Sequence, residues 1–243
     1  MRAKLLPLLL AAVLSACAPV STGGERPKTR LLPGGLVREG WVELGSEAYP
    51  LPGTPLLADA VGERVFAAYP YELLELYKGE LVATHPLPGV PRFLHASPEL
   101  VVGLAGGVWT TSSGLLPYPA RDARLKGGEL WWTDGAAHRG RRALEAGGYR
   151  LVVADGERVA FLGERAFFPG GESFPLPEFR RAELFGDLYL LTDRALVRMS
   201  PGGVELDRLP GEFLDLRANE DGVWLLTKGE ELLHLDHDLE VAP

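Results

Sequence analysis

Arg180-Arg181-Ala182-Glu183-Leu184-Phe185, then Gly186-Asp187, Leu188-Tyr189-Leu190-Leu191-Thr192, Asp193-Arg194, Ala195-Leu196-Val197-Arg198-Met199, Pro201-Gly202-Gly203 and Val204-Glu205-Leu206-Asp207-Arg208-Leu209 form the stretch that decides the fold. Runs of aliphatic and aromatic residues alternate with pairs rich in Gly, Asp and Pro. That punctuation predicts four short strands joined by tight turns and leaves little room for a helix. The second run is the most apolar, as expected of a strand packed on both faces.

Similar units recur on both sides. Their central apolar runs are Val65-Phe66, Val101-Val102, Leu130-Trp131, Val159-Ala160, Leu188-Tyr189 and Val223-Trp224, with first positions 36, 29, 29, 29 and 35 residues apart. A period near 30 signals a repeat architecture, and four short strands per repeat is the content of a propeller blade. Many units end on proline, as in Pro50-Leu51-Pro52-Gly53, Pro86-Leu87-Pro88-Gly89, Leu176-Pro177 and Leu209-Pro210-Gly211. Proline has no N–H for a ladder and suits an edge strand, so each unit is expected to end on an edge. A leucine-rich solenoid has a similar period but needs recurrent asparagines, and this chain has one, Asn219.

Asp221-Gly222-Val223-Trp224-Leu225-Leu226-Thr227 and Gly107-Val108-Trp109-Thr110-Thr111-Ser112-Ser113-Gly114-Leu115 resemble the aromatic-centred repeats of bacterial sensor and quinoprotein-like β-propellers. The resemblance, which covers most of residues 54–243, implies an all-β propeller and no particular activity, and the propeller domain is expected to span residues 36–243. Six central strands predict six four-stranded blades. Trp41-Val42-Glu43-Leu44 and Ala48-Tyr49-Pro50-Leu51 read as the last two strands of a blade, expected to close the ring by pairing beside residues 213–243. Seven blades is the alternative. Residues 230–239 fit either a strand or a helix face bearing Leu232, Leu235 and Leu239.

The chain opens with Arg2 and Lys4, an uncharged run from Leu5 to Leu14, and small residues at Ser15 and Ala16. This is the pattern of a secretory signal, and the run is half the roughly 20 residues that a spanning helix needs. Leu14-Ser15-Ala16-Cys17 resembles the lipobox of bacterial lipoproteins, which implies cleavage after residue 16 and a lipid on Cys17. Cys17 is the only cysteine, so no disulfide framework is available. Two or more acyl chains, at about 0.8 kcal/mol per buried methylene, would hold the chain on a membrane. The expected location is the cell envelope, outside the cytoplasm. Residues 17–35, with three prolines and four glycines, read as a flexible linker.

Removing residues 1–16 subtracts two of the 25 basic residues and none of the 33 acidic ones, so the mature net charge is −10. A body this acidic argues against general nucleic-acid binding. Ile and Gln are absent, a bias that suits a heat-adapted source or GC-rich codons. Charge is uneven along the chain. Residues 121–150 carry Arg121, Arg124, Lys126, Arg139, Arg141, Arg142 and Arg150 against four acids, while residues 211–243 carry nine acids against Arg217 and Lys228. The seven basic residues are the candidate partner-binding patch.

His234, Asp236, His237 and Asp238 are the densest potential metal ligands, but in a strand the two histidines would point to opposite faces, and no metal or other cofactor is expected. Asn219-Glu220-Asp221-Gly222 lacks the ligand alternation of a calcium loop. Trp109, Trp131, Trp132 and Trp224 are expected to pack between blades. No nucleophile motif is present, and His85, His95 and His138 have no recognisable partner pattern. The expectation is a non-enzymatic, membrane-tethered propeller that binds an envelope protein, similar in general plan to envelope-assembly lipoproteins. The alternative is an enzyme or small-molecule sensor using the central channel, with titratable side chains converging at one mouth.

Overall fold

A computed structural model describes residues 29–242; the expected signal segment 1–16, Cys17 and the expected linker up to residue 28 lie outside the described residues. Every regular element described is a strand. Blade 1 is β1 (Thr29–Leu32), β2 (Gly35–Arg38), β3 (Trp41–Leu44) and β4 (Glu47–Pro50), and blade 2 is β5 (Leu57–Val61), β6 (Arg64–Tyr69), β7 (Glu72–Tyr77) and β8 (Glu80–Pro86). Blade 3 is β9 (Pro91–His95), β10 (Val101–Leu104), β11 (Gly107–Thr110) and β12 (Gly114–Leu116), and blade 4 is β13 (Asp122–Lys126), β14 (Glu129–Thr133), β15 (Ala136–Arg139) and β16 (Arg142–Ala146). Blade 5 is β17 (Leu151–Ala154), β18 (Val159–Leu162), β19 (Arg165–Phe168) and β20 (Glu172–Pro175), and blade 6 is β21 (Arg181–Phe185), β22 (Asp187–Leu191), β23 (Ala195–Met199) and β24 (Glu205–Pro210). Blade 7 has β25 (Phe213–Asn219), β26 (Gly222–Thr227) and β27 (Leu232–Leu235), completed by a single bridge from Leu235 to Val241.

Each sheet is an antiparallel meander in chain order. The first strand of each blade is innermost and meets the first strands of its neighbours around a central channel. The apolar runs that revealed the repeat fall on β6, β10, β14, β18, β22 and β26, and all residues of β10 and β18 are buried. Side chains from adjacent blades interlock in seven hydrophobic clusters, one for each blade interface.

The ring therefore has seven blades, the alternative expectation, and not six. The missed blade is the first: Leu36 precedes Val65 by 29 residues, the same step as in the middle of the chain. Its second strand is only four residues long and lies between Pro33-Gly34 and Glu39-Gly40, so it reads as linker. Residues 29–35, assigned to that linker, form β1 and its turn, with Leu31 and Leu32 fully buried. The Trp41–Pro50 hairpin does not pair with the final blade; Val42 lies between Val37 and Tyr49 within blade 1. Because β1 and β2 complete that sheet, the ring closes by packing. Leu31 and Leu36 meet Leu226, Thr29 Oγ1 donates to Glu230 Oε2 at 2.7 Å, and Arg38 Nη2 donates to the Glu230 carbonyl at 2.5 Å. The ambiguous stretch at 230–239 contains a strand, not a helix.

Candidate functional site: the central channel

The inner strands carry polar residues where they face the channel. At its waist Glu183 Oε1 accepts from Arg217 Nη1 at 3.0 Å, Arg124 Nη2 lies 4.0 Å from Glu183 Oε2, and Arg217 Nε lies 3.7 Å from Asp59 Oδ1. Three carboxylates reach across to the next blade. Asp59 Oδ2 accepts the Ala96 N–H at 2.8 Å, Asp122 Oδ2 the Val152 N–H at 2.8 Å, and Asp155 Oδ2 the Gly186 N–H at 3.1 Å. The Val152 N–H on β17, and those of Ala96 and Gly186 just past the ends of β9 and β21, are each satisfied by a carboxylate with a charge-assisted bond.

Asp122 Oδ1 also lies 2.7 Å from His95 Nε2. Burial alone would raise the Asp122 pKa, but His95, Arg124 and the Val152 N–H together hold it below the ordinary carboxylate value. Burial, reinforced by Arg124, holds the His95 imidazole below its ordinary value despite Asp122. The pair is a neutral imidazole donating to a carboxylate. Glu183 is pushed up by burial, against the pull of Arg217 and Arg124.

The two mouths differ in charge. Where the inner strands begin, a cavity of about 350 Å³ is lined by Arg30, Arg92, Arg121, Arg150, Arg180 and Arg181 at the rim and by Arg124 and Arg217 deeper in, against Asp122, Glu183 and Asp215. Where they end, a cavity of about 190 Å³ is lined by Asp59, Asp155, Glu183 and Glu220 against the same Arg124 and Arg217. A chain of net charge −8 thus concentrates arginine at one end of its axis. Low-dielectric walls around such a mouth focus the field outward.

The candidate basic patch does not hold together. Arg121, Arg124 and Arg150 line the basic mouth. Lys126 borders a separate cavity of about 410 Å³ with Trp131 and Arg158. Arg139 pairs with Glu129 and lies 4.9 Å over the Trp131 ring, and Arg141 and Arg142 are exposed at the start of β16. One sequence window spans the inner and outer strands of a blade, which face different surfaces.

The remaining candidates disperse likewise. His234 stacks on Trp224 at 3.7 Å and its Nε2 contacts the Asp221 carbonyl at 3.0 Å. His237 Nδ1 meets the Tyr189 hydroxyl at 3.1 Å, and Asp236 accepts the N–H groups of Asp238 and Glu240 within its turn. Among the described residues no group of three or more His, Cys, Asp or Glu side chains is placed to hold a metal. Trp109 and Trp132 are buried between blades; Trp131 and Trp224, partly buried, also pack against inter-blade clusters while bordering surface cavities. Trp109 lies on β11, the third strand of its blade.

The arginine mouth had a signal in the sequence. Arg92, Arg121, Arg150 and Arg180 are spaced by 29, 29 and 30 residues, the period of the repeat itself. Tracking one polar position through the repeats finds the group, where a search of contiguous windows does not.

No protein-family model and no curated protein matches the chain. Solved structures match its fold. One is PorZ of Porphyromonas gingivalis, an essential bacterial surface component of the type-IX secretion system, with 14% identity and a TM-score of 0.63 over 88% of this chain and 38% of that one. This chain thus spans well under half of PorZ. Two more are BBS1N in complex with ARL6DN, with 13% identity and a TM-score of 0.59 over 86% and 89% of the two chains, and Hsv2 of Kluyveromyces lactis, with 11% identity and a TM-score of 0.59 over 88% and 94%. At these identities the likeness is one of fold, the β-propeller.

Proposed function

We propose that this chain is a non-enzymatic binding module, tethered through Cys17 to an envelope membrane, whose propeller receives an acidic protein partner at the arginine-lined mouth. The observation that carries this reading is the polarity of the channel, with eight arginines against three carboxylates at one end and an acidic lining at the other. Such a field orients an approaching partner and speeds encounter, and its effect falls with salt. The fold supports the reading: PorZ is a bacterial surface component, and BBS1N was crystallised in complex with ARL6DN. The lipobox supports the envelope location.

The test compares the full chain with Arg92→Glu/Arg181→Glu in affinity capture from solubilised envelopes. Stoichiometric recovery of a partner by the natural chain, reduced at least tenfold by charge reversal, is the expected result. No partner, or equal recovery by both, contradicts it. A second reading, small-molecule recognition in the channel, is favoured by one further feature of the same mouth.

A further inference from the structure

We infer that the basic mouth contains a site for a small, multiply charged oxyanion, built on Arg92 and Arg121 at the rim and Arg124 beneath them. The site shares a mouth with the docking surface proposed above but does not depend on a protein partner.

Four other arginines of the mouth already have protein partners. Arg150 on blade 5 donates to the Phe179 carbonyl of blade 6, and Arg180 on blade 6 donates to the Phe213 carbonyl of blade 7 at 2.8 Å. In each case the acceptor immediately precedes the equivalent position of the next blade, so these two arginines staple adjacent blades. Arg181 is held by Asp215 at 3.2 Å, and Arg217 by Glu183. Each of these four thus has a protein partner for its guanidinium, although the Arg217 Nε is buried without a hydrogen bond.

Arg92 and Arg121 occupy the same repeat position in blades 3 and 4 without that use. Both are exposed, both line the basic cavity, and neither side chain has a hydrogen bond or ion pair among the described residues. Arg124 supplies an independent observation. It is only 4% exposed, it lines the channel from both ends, and its Nη1 is buried without a hydrogen-bond partner. A guanidinium presents five donors in a fixed fork that matches carboxylate or phosphate oxygens, and leaving one of them unpaired in the interior is costly.

Neighbouring groups do not fill the place. Asp122 is engaged by His95 and Val152, and Glu183 by Arg217. These two carboxylates, already engaged, line the same cavity beside Arg124. A cavity of about 350 Å³ suits a small ligand rather than a large one. Three guanidinium groups favour an anion with more than one charge, either a polycarboxylate or a phosphorylated compound.

The test is isothermal titration calorimetry on the full-length chain in detergent micelles, with citrate and inorganic pyrophosphate as probes, acetate as the singly charged control and ionic strength held constant. Saturable binding of one equivalent of citrate or pyrophosphate is expected, at least tenfold tighter than acetate. Binding of citrate alone assigns carboxylates as the source of the charge, and binding of pyrophosphate alone assigns phosphates. Arg92→Gln/Arg121→Gln, which alters only exposed side chains, is expected to weaken binding at least tenfold, as is Arg124→Gln, while Arg139→Gln/Arg142→Gln on the outer strands leaves it unchanged. Failure of both probes to saturate, or full affinity in the Arg92→Gln/Arg121→Gln variant, overturns the site. Probe binding that survives where partner capture fails would reject the docking reading alone.

Discussion

The carboxylate of Asp122 on blade 4 lies 2.7 Å from His95 Nε2 on blade 3 and accepts the Val152 N–H of blade 5 with its other oxygen, so that one side chain joins three consecutive blades. It lines the arginine-rich cavity, whereas His95, Arg124, Glu183 and Arg217 line the channel from both ends.

Asp122→Ala leaves a buried N–H and a buried imidazole without their acceptor, and is expected to cost about 3 kcal/mol in urea unfolding. The pH dependence follows from the direction of its shift. A carboxylate held below its ordinary value stabilises the fold fully above the unfolded pKa, about 3.9, and loses that contribution as pH falls through the lower folded value. The difference between the natural chain and Asp122→Ala should be complete at pH 7 and shrink below about pH 4. A difference that grows in acid would contradict the ionised state assigned to Asp122.

The seam between blades 7 and 1 is the weakest interface. Its buried cluster among the described residues is Leu31, Leu36 and Leu226, against thirteen buried residues between blades 5 and 6, and no strand crosses it. Amide hydrogen exchange is expected to be fastest, among central strands, in β2 and β26 and slowest in β18 and β22. Leu36→Ala should cost roughly 2–4 kcal/mol and accelerate exchange on both sides of the seam.

Gly222 opens β26 at φ +137°, and a Cβ there would lie 2.2 Å from the Leu235 carbonyl oxygen of the next strand. Backbone, unlike a side chain, cannot rotate away. Gly222→Ala is expected to destabilise the chain by about 2 kcal/mol or more, read from the urea midpoint, whereas Gly229→Ala, with its nearest neighbours at 3.7 Å or beyond, should change it little.

The strands were legible in the sequence because a blade's second strand is buried on both faces and must be continuously apolar. The 180–209 unit shows this, with all four strands and their turns found close to where they form. Blade 1 escaped because Gly35–Arg38 has only Leu36 and Val37 to mark it, between turn residues that also mark linkers. The channel was hidden for a different reason. Arg92, Arg121 and Arg124 come from two blades, and His95 and Asp122 are 27 residues apart, so proximity depends on the ring and leaves no local motif. The basic patch failed as a patch for the same geometric reason, since Arg124 and Arg142 share a blade but not a surface.

If Cys17 carries the proposed lipid, Cys17→Ser leaves the fold unchanged and moves the chain from the membrane fraction to the soluble extract, as read by fractionation and by the mass of the N-terminal peptide. Retention of Cys17→Ser in the membrane fraction would remove the lipid tether from the account.

That the arginine mouth is the working face is tested most directly by placing a photo-crosslinking residue at position 92 on the rim or at position 142 on the outer strand of blade 4, and irradiating intact cells. A discrete adduct is expected from position 92 that disappears when Arg181→Glu is added, and none from position 142. An adduct from position 142 alone, or one from position 92 that is indifferent to Arg181→Glu, would contradict it.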